Sequence, residues 1–353
     1  MKWLQPSHFL KIESGKLIFW DYEKHQQFEL SIEHLQRLIE FSKGTQPQKT
    51  PIDKEISEAE VLVNSEPHKK WAWDWLSHIF HYGTQHPLPP DSDASTEKSD
   101  EYAASYLEFC ASIRHSMPEV EIIKGGKRIP LPDFDSEELE NTSLWSSLSS
   151  RRTCRDFDGK PVPIKKIATL LYCAFAEVNT KTDLPDLSVY GYKRTSPSAG
   201  GLQSTEPYLW AINIEGLAPG IYHYLSQRHE LEYIDELPKK SLGAYLCNQN
   251  WANEMAFAIV MTSRFDKMWW KYPHSRAYRP MLMEIGHFSQ TLNLGITALG
   301  LKPWLTGYFH DRELGEALAC SPEIEHPILV VGGGTGSGNS VDTATQKIIK
   351  KER

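Results

Sequence analysis

Arg151-Arg152-Thr153-Cys154-Arg155 puts three guanidiniums and a hydroxyl into five consecutive positions. Such a cluster can hold a phosphate dianion through bidentate, charge-assisted hydrogen bonds; the bland alternative is a solvated basic turn. Ser196-Pro197-Ser198-Ala199-Gly200-Gly201 has only small side chains. Its backbone can therefore approach a flat ring closely, or simply make a tight turn. No GK[ST] follows, so it is not a Walker loop, and its spacing is not that of the dinucleotide fingerprint. Trp269-Trp270-Lys271-Tyr272, with Arg276 and Arg279 beyond, sets an amine beside a phenol. Arginines or aromatic burial are expected to lower both toward neutrality for proton transfer; a surface loop with snorkelling side chains is the alternative. In Gly286-His287-Phe288-Ser289-Gln290, His287 reads as a base or as a packed core residue. Val331-Gly332-Gly333-Gly334-Thr335-Gly336-Ser337-Gly338 reads as a phosphate-facing loop after a strand or as the start of a flexible tail.

These segments need elements to hold them. SEELENTSLWSSLSSRRTCRDF predicts a helix leading into the arginines. PIKKIATLLYCAFAEV predicts another, with Pro163 near its start and Ile164, Ile167, Leu170, Leu171 and Ala174 on one face. RTSPSAGGLQSTEPYLWAINI predicts a turn followed by helix or strand, GLAPGIYHYLSQRHELEYI a hairpin, and AFAIVMTSRF a strand. YRPMLMEIGHFSQTLNLGITALGL predicts a long helix. Its stripe of Ile285, Phe288, Leu292, Ile296 and Leu299 is of the kind buried in a domain or a dimer. KPWLTGYF and HPILVVGGG predict strands around an amphipathic helix, and the alternation indicates an α/β or α+β domain.

Upstream, LIFWDYEKHQQFELS predicts one or two strands. Ser31 then opens a helix over IEHLQRLIEFSKG that Gly44 can end. An apolar segment, ISEAEVLVN, and an aromatic helix, WAWDWLSHIFHYGTQ, complete the order of a small winged-helix-like module. HPLPPDSDASTEKSD reads as an exposed linker, and EVEIIKGGKRIPLP as a strand, a Gly-Gly turn and an extended arm. The expected division is a module over 1–90, linker and arm over 91–140, a motif-bearing domain over 141–338 and a flexible tail over 339–353.

The chain has 353 residues, 38 Lys and Arg against 46 Asp and Glu, and a net charge of −8. An 11% aromatic content, with 11 Trp and 15 Tyr, provides enough apolar surface for a core and excludes general disorder. The acidic balance argues against a duplex-DNA binder. Lys24, His25 and Arg37 make no recognition face, and Glu33 and Glu40 oppose one. No membrane-length apolar run occurs, and MKWLQPSHFLKIESG lacks the apolar core of a signal peptide. The five cysteines are scattered without a CxxC pair. A reduced, cytoplasmic protein without metal, nucleic-acid or membrane partners is expected.

Taken in order, RRTCRDF, PSAGG, GIYHY, KYPHSRAYR and EIGHFSQTLNLGITALGL resemble the flavin-dependent nitroreductase superfamily over about 145–335. They are most similar to its SagB-type branch, the azoline dehydrogenases of peptide-modifying pathways. The resemblance implies an α+β, nitroreductase-like fold with a central antiparallel sheet flanked by helices, forming a homodimer with FMN at its interface. It implies that Arg151, Arg152, Thr153 and Arg155 contact the FMN phosphate and ribityl chain. Pro197, Ser198, Ala199, Gly200 and Gly201 would lie against the ring system, with Gln290 and Gly307 as further contacts. Thr291 stands where the family usually has asparagine. Lys271 and Tyr272 match the pair assigned to proton handling: a hydride equivalent leaves the azoline for FMN and a base takes the proton, from either residue. The resemblance also implies a precursor peptide and other peptide-modifying enzymes as partners. The N-terminal module would hold a leader peptide or partner, or pack on the catalytic domain. Tyr190-Gly191-Tyr192-Lys193-Arg194 is expected to line a substrate entrance. Two alternatives stay open: an FMN oxidoreductase acting on a cyclic dipeptide, enone or nitroaromatic, and a non-catalytic scaffold subunit.

Overall fold

In the computed structural model, which describes residues 1–67, 71–85, 96–178 and 194–351, the chain divides into two units. Residues 86–95 of the expected linker, and Tyr190 to Lys193 of the expected entrance, lie outside the described residues.

The first unit is Met1–Ser99 with His274–Tyr278. Its elements are β1 (Trp3–Leu4), β2 (His8–Glu13), β3 (Lys16–Asp21), β4 (Gln26–Leu30), α1 (Ile32–Ser42), α2 (Pro51–Glu58), β5 (Leu62–Val63) and α3 (Trp75–Gly83). Strands β2, β3 and β4 form an antiparallel meander, and β1 pairs with β5. Two strands, β1 and β2, precede the segment in which the apolar pattern indicates strands. Strand β2 is an edge strand with Ile12 80% exposed, so it lacks the buried alternation that marks a strand. Ser31 caps α1 through its Oγ, which accepts from the His34 N–H, and Gly44 follows the helix at φ +75°. Phe19, Leu38, Phe41, Ile56 and Val61 make the core. Beside it, Arg37 donates to both carboxylate oxygens of the buried Asp53 at 2.5 and 2.7 Å.

The second unit is Asp100–Pro273 with Arg279–Arg353. In chain order its elements are α4 (Thr96–Ile113), β6 (Arg128–Pro130), α5 (Glu137–Glu140), α6 (Leu144–Ser150), β7 (Val162–Pro163), α7 (Ile164–Phe175), β8 (Thr205–Ala211), β9 (Ile214–Glu215), β10 (Gly220–Leu225), β11 (Glu230–Asp235) and α8 (Leu242–Tyr245). Then come β12 (Phe257–Arg264), α9 (Phe265–Lys271), α10 (Tyr278–Ala298), β13 (Lys302–Thr306), α11 (Asp311–Ala317), β14 (Glu325–Gly334) and α12 (Thr343–Lys351). Seven strands form one antiparallel sheet in the order β13-β14-β12-β8-β10-β11-β6. Successive side chains on a strand point to opposite faces. Leu209 and Ile259 accordingly pack with Leu170 and Leu171 of α7 and with Ile285, Phe288, Leu292 and Ile296 of α10. Tyr208, Trp210, Ala258 and Val260 pack on the other face with Leu242 of α8 and Leu314 of α11. The class is α+β, a central antiparallel sheet flanked by helices.

Two stretches differ from their sequence-based reading, and a third divides between its two readings. The stretch read as linker and arm contains the 18-residue helix α4, and its arm enters the sheet edge, with Ile129 opposite Leu231. The glycine run divides: Gly332 to Gly334 end β14, as the strand reading of HPILVVGGG has it, and Thr335 to Gly338 follow the strand without regular structure. A Cβ on Gly332 would stand 2.3 Å from Met255 Sδ, and one on Gly333 2.8 Å from Phe257 Cζ. Close packing is the reason for glycine there. Residues 343–351, read as flexible tail, form α12, whose first turn is capped by Asp342 Oδ1 accepting from the Ala344 and Thr345 N–H groups.

Candidate functional site

Glu284 on α10 is the anchor of the 196–201 turn. Its buried carboxylate accepts from Ser198 Oγ, from Ser204 Oγ at 3.0 Å and from Thr205 N and Oγ1 at 2.9 and 2.8 Å. Farther along the same helix face, His287 Nδ1 meets the Pro197 carbonyl at 3.1 Å, and Thr291 Oγ1 meets Ser196 Oγ at 2.7 Å. Positions 284, 287 and 291 lie on one side of a helix, so α10 staples the turn at three points. His287 thus holds the loop. Thr291 bonds the loop through its hydroxyl.

Gly200 in this turn has φ +57°, a region that favours glycine. A Cβ there would stand 2.3 Å from Tyr272 Oη and 2.8 Å from Lys271 Nζ. Lys271 Nζ donates to the Gly200 carbonyl at 3.0 Å. Two segments seventy residues apart therefore meet: PSAGG and Lys271-Tyr272. Lys271 is the last residue of α9, which follows β12 directly, and Tyr272 N donates to the Met268 carbonyl to close the helix. The lysine is 1% exposed.

The two groups diverge in acidity. Burial pushes the Lys271 amine below its ordinary value. Burial pushes the Tyr272 phenol up, although a hydrogen bond from Tyr106 partly offsets it. The expected lowering of both groups holds for the lysine only, because desolvation disfavours whichever form is charged: ammonium for one, phenolate for the other. The ammonium is thus made easier to deprotonate, beside a phenol that is made harder to ionise.

Sequence reasoning did not find the other residues at this pair. Tyr106, on α4, hydrogen-bonds Tyr272, and its ring centroid lies 5.8 Å from Lys271 Nζ. Buried Cys110, one turn on, bears on both members. Tyr102, Tyr106 and Cys110 recur at every fourth position, a helical signal that was legible in the sequence. Glu284 had no such signal, since a carboxylate in a helix usually faces solvent.

The arginines sit elsewhere in the same unit. Arg151 caps the C-terminus of α6, and Arg152 Nη1 donates to the Ser149 and Arg151 carbonyls at 3.0 and 2.8 Å. Thr153 is half-buried, and Cys154 N donates to the Pro303 carbonyl at 2.9 Å. Arg155 lies 5.6 Å over the Trp251 ring and donates to the Ser340 carbonyl at 2.5 Å. Among the described residues no carboxylate pairs with these three guanidiniums, and no hydrogen bond or ion pair joins them to the turn or to Lys271-Tyr272. Gln290 is on the exposed side of α10. Gly307 follows β13 in the open, with Leu329 Cδ1 at 3.6 Å the nearest atom to a Cβ. Guanidiniums without protein carboxylate partners, and a small-residue turn held rigid against a buried amine, fit a phosphate-bearing, flat-ring cofactor such as FMN. Among the described residues no cluster of His, Cys, Asp and Glu fits a metal ion, and no helix is long and apolar enough to cross a membrane.

Residues 148–335, a little over half the chain, match the nitroreductase family. The protein MJ1384 of Methanocaldococcus jannaschii, described as a nitroreductase, is 27% identical over 207 residues, covering 58% of this chain and 95% of its own. The trifolitoxin-processing protein TfxB of Rhizobium leguminosarum is 25% identical, and the match spans 55% of this chain and 54% of TfxB, about half that relative's length. A crystal structure described as a nitroreductase, from Anabaena variabilis, aligns with 91% of this chain and 54% of its own at 19% identity and a TM-score of 0.54, a likeness of fold. With the antiparallel sheet, the flanking helices and the stapled turn in place, the chain belongs to the nitroreductase family and is an oxidoreductase of that fold.

Proposed function

We propose that this chain is an FMN-dependent dehydrogenase of the SagB type, oxidising thiazoline or oxazoline rings to azoles in a ribosomally made peptide. The observation that carries the reading is the Lys271-Tyr272 pair, desolvated and seated on Gly200. Similarity to a trifolitoxin-processing protein supports a peptide substrate and peptide-modifying partners.

Arg151, Arg152, Thr153 and Arg155 would hold the FMN phosphate and ribityl chain. Pro197, Ser198, Ala199, Gly200, Gly201, Gln290 and Gly307 would lie along its ring system. FMN, when bound, supplies the two-electron acceptor for the hydride equivalent leaving the azoline. Lys271 takes the carbon-bound proton at Nζ, because burial favours its neutral amine. Tyr272 stays protonated and orients the substrate ring by donating a hydrogen bond. The protein works as a homodimer, with the exposed Leu282, Met283 and Gln290 side of α10 toward the partner copy.

The test uses purified, FMN-loaded protein and an azoline-containing peptide. Lys271→Ala should keep the flavin absorbance spectrum and lose about 10²- to 10⁴-fold in azoline oxidation, the usual worth of a general base. Unchanged azoline turnover in that variant would sink the reading. Turnover of an enone or nitroaromatic alone, equal in both proteins, would transfer the activity to small molecules.

A further inference from the structure

Helix α4 lies upstream of the family-matched residues 148–335, yet its side chains close over the Lys271-Tyr272 pair. Its C-terminal end is tied in place by Trp270 Nε1, which donates to the Ile113 carbonyl at 3.1 Å. Four residues apart, Tyr106 and Cys110 share one helix face. A hydrogen bond between the Tyr106 and Tyr272 hydroxyls is among the causes that set their acidities, and Cys110 acts on both. Its ring stands 5.8 Å from Lys271 Nζ, on an amine that is almost wholly out of solvent.

We infer that Tyr106 is a positioning residue, the third member of this site: its hydroxyl aims that of Tyr272, and its ring keeps water off the Lys271 amine. The chemical consequence rests on the reading of Lys271 as the base. A phenol whose hydroxyl rotor is fixed by a partner loses less freedom when it orients a substrate. An amine walled by an aromatic ring holds its neutral form, because the ammonium would lose its hydration. Groups that bear on Lys271 among the described residues include Tyr106 and Cys110 from α4, Tyr272 beside it in sequence, and the Gly200 carbonyl from the turn. The site thus draws on a segment outside the family-matched residues 148–335.

The experiment compares FMN-loaded wild type, Tyr106→Ala and Tyr106→Phe by two readouts. The first is the pH dependence of reductive methylation of Lys271, followed by peptide mass spectrometry, which needs no substrate. In Tyr106→Ala the limiting rate at alkaline pH should rise at least tenfold, and the midpoint should move to higher pH as water re-solvates the ammonium. In Tyr106→Phe, which keeps the ring, both should stay at wild-type values. The second readout is azoline oxidation: Tyr106→Phe should lose about tenfold in kcat with KM within twofold. A wild-type methylation profile in Tyr106→Ala overturns the shielding role, and an unchanged kcat in Tyr106→Phe overturns the aiming role. Should alanine prevent folding, Tyr106→Leu replaces it under the same criteria. If no azoline is oxidised by wild type while the methylation profile shifts as expected, the substrate reading fails and the shielding by Tyr106 stands.

Discussion

Gly200 shows how one missing Cβ can hold a site together. Its carbonyl receives the Lys271 ammonium or amine, while the space its side chain would fill belongs to Tyr272 Oη and Lys271 Nζ. Gly200→Ala adds a carbon at 2.3 Å from the phenol oxygen and forces a non-glycine residue to φ +57°. The backbone strain alone costs on the order of 1 kcal/mol. The variant should melt at a lower temperature and oxidise azolines at least tenfold more slowly; thermal melts and steady-state rates check both. Unaltered rates would mean that the pair does not need this seat. Charge is set at the same scale. Burial pulls the lysine down and pushes the tyrosine up, so an identical environment gives the two groups opposite tendencies.

Elements decide where the arginines point. Segment 155–157 leans on the chain just after β14: Phe157 bridges Gly336, and Arg155 N donates to the Asn339 carbonyl at 2.7 Å. A Cβ on Gly336 would stand 2.3 Å from the Asp156 carbonyl oxygen and 3.0 Å from Phe157 Cα, both backbone atoms that cannot swing aside. Gly336→Ala should therefore push the arginine-bearing segment away from the chain that follows β14. Overpacking of this kind costs about 1–3 kcal/mol. The expected outcome is a denaturant midpoint shift together with weaker FMN binding, measured by flavin fluorescence titration. A loss of stability with unchanged FMN affinity would separate the arginines from the phosphate site.

On the scale of the whole second unit, a buried ionic network joins parts distant in sequence. Glu206 on β8 lies beside Lys267 of α9 at 3.4 Å, His223 of β10 at 3.2 Å and Arg264 of β12 at 3.5 Å. Arg264 and Lys267 in turn donate to the Glu119 and Val120 carbonyls, pinning the segment that follows α4. Burial alone would raise the Glu206 pKa, but Lys267, His223 and Arg264 outweigh it and hold the carboxyl at about 2. Its folded-state value is below the unfolded one, so its contribution is present above about pH 4.5 and is lost as pH falls toward 2. The shift corresponds to roughly 3 kcal/mol. Glu206→Gln should lower stability at pH 7 and flatten the acid dependence of the melting temperature between pH 5 and 2.5. A parallel acid profile in the variant would assign that dependence to other carboxylates.

Much of this architecture is written in local pattern. The buried stripe of α10, the β10–β11 hairpin, strand β12 and the start of α1 at Ser31 follow from periodicity and capping, which act over a few residues. PSAGG and Lys271-Tyr272 are legible as chemistry for the same reason: their residue types stand next to one another. What local pattern could not show is which segments meet. That the Lys271 amine reaches the Gly200 carbonyl, that Glu284 staples the turn and that a helix read as linker brings Tyr106 to Tyr272 all depend on long-range packing. Burial is a property of the folded chain, so the direction in which each titratable group moves is decided there too. The glycines of β14 make the same point: HPILVVGGG reads as a strand, but why glycine stands there is visible only in the side chains of Met255 and Phe257 packed against it.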